Sequence, residues 1–260
     1  MKRELKGLRA IVTGASSGIG REIAVELARQ QVLVVAVARR EDRLRELASR
    51  SEALGGRVET LAGDITEAEV RRRAIDAAAT KFGGLDLLVN NAGIGAMGLF
   101  AEADPGRLRR IMEVNFFALV ELTRLALPLL KTGRTPMIVN VSSILGHRGV
   151  PHNSEYSASK FAVHGFSEAI RAELAPLGID VLVVSPGTTE TEFFDRVLEH
   201  KSKPNWPEHK AVSAALVARE TVKAIRRGRH EIIPYRWGQV LCWLNRLSPR
   251  LVDRLMARYV

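Results

Sequence analysis

The chain has 260 residues, 46% of them hydrophobic and 26% charged, a globular balance with ample material for a buried core. Its single cysteine, Cys242, excludes an internal disulfide, and a reducing, cytoplasmic setting is expected. The net charge of +10 comes without zinc-ligand spacing, an aromatic RNA-binding signature or a basic region running into heptads, so it reads as a solvated basic surface and no nucleic-acid partner is expected.

Residues 1–9 are charged and lack the apolar stretch of a signal peptide, so none is expected there, and no run approaches the roughly 18 apolar residues of a membrane span. Short β-branched runs at 9–13, 32–38, 58–62, 85–90, 137–142, 179–185 and 230–233 predict strands. Several are almost continuously apolar, as in a parallel sheet covered on both faces. Between them, 19–30, 43–54, 67–82, 105–130 and 156–177 are long enough for crossover helices. This alternation predicts an α/β fold: a single Rossmann-type domain over residues 1–234, with a doubly wound, seven-stranded parallel sheet and helices on both faces.

The first predicted strand leads into Thr13-Gly14-Ala15-Ser16-Ser17-Gly18-Ile19-Gly20 and then a helix. Glycines in such a turn allow positive φ and let the backbone approach a pyrophosphate, while the helix N-terminus offers unpaired N–H groups. The spacing is G-x-x-x-G-x-G, and its place between strand and helix favours a dinucleotide site over an ordinary turn. At the end of the second strand, where NAD sites usually carry an acid for the ribose 2′-hydroxyl, stand Ala38-Arg39-Arg40. Arginine cannot accept from that hydroxyl but pairs with a 2′-phosphate, so NADP(H) is expected over NAD(H).

In Tyr156-Ser157-Ala158-Ser159-Lys160, the i, i+4 spacing puts Tyr156 and Lys160 on one helix face, with Asn153 or Ser154 as the candidate cap. A tyrosine near pKa 10 is a poor base, and a nearby ammonium is expected to bring it towards its working range. Ser142 and Ser143 end a strand at the carboxyl edge of the sheet, where open α/β folds bind ligands, and a hydroxyl there can polarise a carbonyl. His147, His152 and His164 flank this segment, but their uneven spacing makes no metal site and none is expected.

These motifs resemble those of the short-chain dehydrogenase/reductase family over about residues 6–233: the glycine turn, Asp64, Asn90-Asn91-Ala92-Gly93, Asn115, Ser143, the Tyr156/Lys160 pair, and Pro186-Gly187 with Thr191. The resemblance implies hydride transfer between NADPH and a ketone or aldehyde, or the reverse oxidation of a secondary alcohol. It implies that Gly14, Ser16, Ser17, Gly18, Ile19 and Gly20 hold the pyrophosphate, Arg39 and Arg40 the 2′-phosphate, and Asp64 and Ile65 the adenine. Asn91, Ala92 and Gly93 line the central strand, and Pro186, Gly187, Thr189 and Thr191 bound the nicotinamide. Lys160 holds the ribose, Tyr156 is the acid/base, Ser143 orients the carbonyl, and Asn115 supports a water reaching Lys160.

His147, Arg148, Asn153, Phe193 and Phe194 are the expected substrate contacts, and the aromatic segment 188–210, resembling the family's lid, suggests an apolar substrate. The alternatives are a 3-oxoacyl thioester reductase of lipid synthesis and a silent nucleotide-sensing or scaffold protein; intact Ser143, Tyr156 and Lys160 weigh against the latter. Relatives imply a homodimer or homotetramer built on 105–130 and 156–176. Residues 235–260 exceed the compact pattern and read as an amphipathic helical extension, not an independent domain. Within it 237–247 predict one helix, and Ser248-Pro249 start another with Leu251, Val252, Leu255, Met256 and Tyr259 on one face and Arg250, Arg254 and Arg258 on a second. Packing on its own domain or a neighbouring subunit is the favoured expectation; contact with the inner face of an anionic membrane is the other.

Overall fold

The computed structural model describes residues 3–193, 197–198 and 211–259. Seven strands, β1 (Arg9–Thr13), β2 (Leu33–Ala38), β3 (Arg57–Ala62), β4 (Leu87–Asn90), β5 (Met137–Val141), β6 (Asp180–Val184) and a seventh at Glu231–Ile232, form one sheet. All are parallel, in the order β3-β2-β1-β4-β5-β6 followed by the Glu231–Ile232 strand. The order reverses direction between β1 and β4, which opens a crevice above their carboxyl ends.

Helices α1 (Gly18–Arg29), α2 (Glu41–Glu52), α3 (Ala68–Phe82), α4 (Arg107–Met112), α5 (Ala118–Lys131) and α6 (Ser154–Leu174) link the strands. One core lies between the sheet and α1 and α2, where Ile23, Leu27, Leu44 and Leu47 meet alternate residues such as Val12, Val34 and Val89. The other gathers Ala74, Leu122, Ala126 and Ile170 from α3, α5 and α6 on Ile11, Val35, Leu88 and Ile138 of the opposite face. Alternate residues of each strand therefore feed different cores, which accounts for the nearly unbroken apolar runs.

The predicted strands are found with ends shifted by at most two residues, β1 not at all. The single helix expected at 105–130 is instead α4 and α5 joined by a π-helical turn, Glu113–Phe117, which carries Asn115. Two elements were not predicted: a short parallel pair, β7 (Thr189–Glu190) with β8 (Val212–Ser213), and helix α7 (Ala214–Arg227). The signals for α7 are in the chain, since Ser213 caps it by accepting from Leu216 N at 3.2 Å and Gly228 ends it in a left-handed conformation. The seventh strand, β9, follows it.

Both expected tail helices are present, α8 (Arg236–Leu247) and α9 (Pro249–Met256). Among the described residues no helix is long and apolar enough to cross a membrane.

Candidate active site

The glycine turn closes over the end of β4. Thr13 Oγ1 accepts from Asn91 N at 2.9 Å and Ala92 N at 3.0 Å, and Asn91 Nδ2 donates back to Thr13 O at 3.0 Å. A Cβ on Gly20 would collide with Asn91 Nδ2 and lie 2.5 Å from Gly14 O; one on Gly14, at φ +65°, would lie 2.9 Å from Ala92 Cα. Gly18, at φ +55°, sits under Thr191, whose Cγ2 is 3.0 Å from the point a Cβ would occupy. The N-cap of α1, Ser17, makes no side-chain cap bond, and the first turn holds no acid. A concave backbone with uncapped helical N–H groups fits a pyrophosphate. Ser16 is buried in this turn, and Ile65 lies buried beyond β3.

At the far end of this crevice Arg39 is 68% exposed along its side chain and 3.8 Å from Asp64, a weak pair that leaves its guanidinium open. Arg40 instead donates to Glu192 at 2.9 Å. Asp64 Oδ1 accepts from Thr66 N at 3.0 Å and Thr66 Oγ1 at 2.8 Å, so the loop after β3 is held by its own side chain.

The second half of the site is built by β5, β6 and α6. Ser143 lies next to Tyr156, with which it shares a hydrogen bond, and its Oγ accepts from Leu145 N at 3.1 Å. The neighbouring Ser142 turns the other way and donates to Lys160 O at 3.2 Å. Lys160 Nζ lies 5.6 Å from the centre of the Tyr156 ring, donates to Val141 O at 3.0 Å, and is 3.7 Å from where a Gly93 Cβ would stand. Gly93 therefore keeps the crevice open beside the ammonium.

Asn115 fastens this arrangement. Its Oδ1 accepts from Ile94 N at 2.8 Å, and its Nδ2 donates to Ile94 O and to Ser159 Oγ, both at 3.0 Å. The π-turn thus ties the loop after β4 to α6, one residue before Lys160. Beneath it Asn90 Nδ2 donates to Thr123 Oγ1 at 3.0 Å and Asn140 Oδ1 at 2.9 Å, and Asn140 Nδ2 donates to Ser167 Oγ at 2.9 Å. These buried polar groups lock β4, β5, α5 and α6 in register.

The electrostatics correct one expectation. Burial pushes Tyr156 up to about 12, against the pull of the Ser143 hydrogen bond, and burial pushes Lys160 down to about 8. In this geometry burial of the phenol outweighs any pull from the Lys160 ammonium, which donates to Val141 O.

The predicted substrate contacts separate. The Phe193 ring stands 5.6 Å from that of Tyr156, and its edge fills the space beside Gly95. Asn153 is the N-cap residue of α6, but its side chain donates to Pro151 O at 3.3 Å instead of capping the helix. Arg148 points to the tail, and Phe194 lies outside the described residues.

His147 faces away from Tyr156's partners: its Nε2 is 2.8 Å from Glu231 Oε1 and 3.3 Å from Ser185 Oγ, which His164 Nε2 also meets at 3.1 Å. The fold joins two histidines that their spacing in the chain keeps apart. Burial, then the His147 charge, pushes His164 down to about 4 despite Glu231, and the His147 hydrogen bond holds Glu231 below the usual carboxylate range. Arg171 and Lys160 add to the positive field on His164, and Arg246 to that on Glu231, so the cluster is a self-satisfied network.

Two further residues lay beyond sequence reasoning. The buried ring of Tyr235 covers Gly187, where any Cβ would strike it, and Gly238 lets α8 approach Ile144. Thr189 Oγ1 donates to Gly187 O at 2.9 Å, and Ile144 N donates to Pro186 O at 2.9 Å, so the segment after β6 is fixed from both sides. No local pattern marks Tyr235, which meets Gly187 only through the tertiary fold.

A family profile described as short chain dehydrogenase matches residues 9–202. The chain is 36% identical over 252 residues to "11-beta-hydroxysteroid dehydrogenase-like 4A" of Arabidopsis thaliana, covering 96% of this chain and 83% of that protein. A solved short chain dehydrogenase/reductase from Burkholderia phymatum, in complex with NAD, superposes with a TM-score of 0.86 at 25% identity, covering 96% of each chain. An alcohol dehydrogenase from the archaeon Thermococcus sibiricus, complexed with 5-hydroxy-NADP, gives 0.76 at 25% identity over 87% of this chain and 95% of that one. The profile match, the shared sequence and the common sheet together assign the chain to the short-chain dehydrogenase/reductase family of oxidoreductases.

Proposed function

We propose that this protein is an NADP(H)-dependent carbonyl reductase or secondary-alcohol dehydrogenase acting on an apolar substrate, with Tyr156 as general acid/base. The observation that carries the reading is the meeting of the Ser143 and Tyr156 hydroxyls beside Lys160, at the same sheet edge as the open glycine turn. Bound NADPH supplies the hydride. The turn Gly14–Gly20 and the uncapped start of α1 hold its pyrophosphate, Arg39 its 2′-phosphate, Asp64 and Ile65 its adenine. Asn91, Ala92 and Gly93 wall the crevice, and Pro186, Gly187, Thr189 and Thr191 bound the nicotinamide. Arg40 assists Arg39 on leaving Glu192.

Ser143 donates to the substrate carbonyl and orients it, while Tyr156 gives its proton to the oxygen as charge develops there. A neutral phenol suits the reductive direction, and Lys160 binds the ribose and attracts the phenolate left behind. Asn115 holds the path by which a proton returns. Phe193 against Tyr156 and the name of the Arabidopsis relative both support an apolar, steroid-like or otherwise lipidic, substrate.

The reading is tested by the NADPH oxidation rate across ketosteroids, retinal, acyl thioesters and sugars, repeated with NADH. Reduction of an apolar ketone or aldehyde with NADPH is expected; equal or better efficiency with NADH overturns the cofactor assignment, and no turnover of any carbonyl overturns the reaction. A homo-oligomer through α4, α5 and α6 is supported by the exposed Leu108, Leu125 and Phe161 on those elements and Phe117 in the π-turn between the first two.

A further inference from the structure

The C-terminal helices are fastened to the body by one side only. Gly238 and Cys242 of α8 and Val252 of α9 are buried, Asn245 Oδ1 accepts from Arg148 at 3.2 Å, and Asp253 accepts from Arg148 at 2.6 Å. The other side is apolar and uncovered in the monomer. Trp237 is 66% exposed, Trp243 62% and Leu247 64%, with Val240, Leu244, Leu251 and Leu255 also exposed. The positions 237, 240, 244 and 247 fall on one stripe of α8, and 251 and 255 on one stripe of α9. Seven large apolar side chains are thus exposed on two consecutive helices, beyond the scattered exposure normal for a soluble surface.

The charge on the same helices identifies what covers it. Residues 235–260 contain five arginines (Arg236, Arg246, Arg250, Arg254 and Arg258) and one acid, Asp253, which is already paired with Arg148. Arg254 on α9 and Arg258 in the turn after it lie within a turn of Leu251 and Leu255, beside the exposed leucines and on the side away from Val252. A second copy placed face to face would set arginines against arginines. A bilayer with anionic headgroups meets both features at once, apolar side chains entering the acyl boundary and guanidinium groups resting among the phosphates. Two exposed tryptophans are also what the headgroup level favours, since their rings are apolar and their N–H groups need a polar partner.

We propose that α8 and α9 dock this protein on the surface of an anionic lipid bilayer, lying in the interface without crossing it. The docking does not depend on the reaction proposed above, and its test does not use turnover. The full-length protein is sedimented with phosphatidylcholine vesicles with or without phosphatidylglycerol, at low and high salt. Co-sedimentation with the anionic vesicles at low salt, release at high salt and a blue shift of tryptophan fluorescence are expected.

Replacing Arg250, Arg254 and Arg258 together by glutamine should weaken vesicle binding about 100-fold. Trp237→Ala with Trp243→Ala should abolish the fluorescence shift, while circular dichroism and NADPH affinity show that both variants remain folded. Absence of co-sedimentation at low salt overturns the proposal, as does equal binding by wild type and both variants. A concentration-dependent dimer that the tryptophan variant loses, without vesicle binding by the wild type, assigns the face to a second copy and likewise overturns it.

Discussion

Arg148 donates to Asp253 at 2.6 Å and to Asn245 at 3.2 Å, so the loop that begins at Ser143 is tied to the last two helices, 105 and 97 residues further along the chain. Asn245 returns a bond to His147 O at 3.4 Å, and Gly238 brings α8 onto Ile144. The tail is thus a buttress for the segment that positions the serine hydroxyl. Arg148→Gln removes both guanidinium bonds. Asp253 is largely exposed, so the cost in stability should be small, a shift in Tm of less than about 3 °C. A loosened Ser143 loop should lower kcat by roughly tenfold with NADPH affinity unchanged. Unchanged kcat in this variant shows that the tail only packs and does not position.

Lys160 and Tyr156 give a prediction on pH. Burial lowers Lys160 from 10.5 to about 8, so between those values the unfolded chain holds a proton that the folded protein has released. Stability contributed by this group therefore rises as pH goes from 8 to 10.5, and below 8 the full cost of a buried ammonium is present. Lys160→Met should raise Tm at neutral pH by a few degrees, with the advantage over wild type shrinking through that window. Turnover should collapse in the same variant. On the proposed assignment of Tyr156 as proton donor, Tyr156→Phe should lower kcat by about 1,000-fold while leaving NADPH affinity intact. Thermal unfolding from pH 7 to 10 and steady-state kinetics check both; a Lys160→Met protein less stable than wild type at pH 7 contradicts the buried-charge account.

The glycine turn yields a third prediction, in which backbone decides. Gly20 has ordinary helical geometry, so Gly20→Ala should be harmless by propensity and even stabilising in an open helix. Here the new methyl collides with Asn91 Nδ2 and stands 2.5 Å from Gly14 O. The amide can rotate away, but the Gly14 carbonyl belongs to the turn. Gly20→Ala should therefore weaken NADPH binding by more than about tenfold, and the double variant with Asn91→Ala should not recover it. Recovery of affinity, followed by fluorescence of the bound cofactor, shows that only the side chain was in the way.

The parallel sheet and the pair Tyr156/Lys160 were legible because each is written locally. Buried parallel strands are apolar at every position, and a strand-end glycine turn must lie beside a helix start. The break at Asn115 was not legible, since a π-turn differs from an α-helix by one hydrogen-bond step and leaves no mark on apolar periodicity. The direction of the Tyr156 shift was not legible either. Helix spacing brings Lys160 within reach of the tyrosine, but Val141 O, supplied by another strand, decides where the ammonium points. His147, His164 and Glu231 meet only because loop, helix and last strand end at one sheet edge. Helix α7, by contrast, is written in the chain itself, in its Ser213 cap and the closing Gly228.

Glu155 precedes Tyr156 and is buried against Arg107 of α4, Oε2 at 2.7 Å from Nη2 and Oε1 at 3.1 Å from Nε. Desolvation alone would raise this carboxyl, but the hydrogen bonds from Arg107, then from Ser154, hold it below its ordinary value of 4.5. A carboxylate whose folded value is depressed gives stability that is complete above its unfolded value and lost as pH falls through the folded one, so the loss begins below about pH 4.5. Glu155→Gln takes from the buried Arg107 guanidinium the carboxylate that meets it at two oxygens, at a cost of about 1.5–3 kcal/mol. The variant should unfold at markedly lower temperature at pH 7, and the gap to wild type should narrow as pH drops below 4.5. Because the pair ties the start of α6 to α4, the surviving folded protein should also show reduced kcat. Equal Tm values for variant and wild type at pH 7 contradict a buried ionic pair at this position.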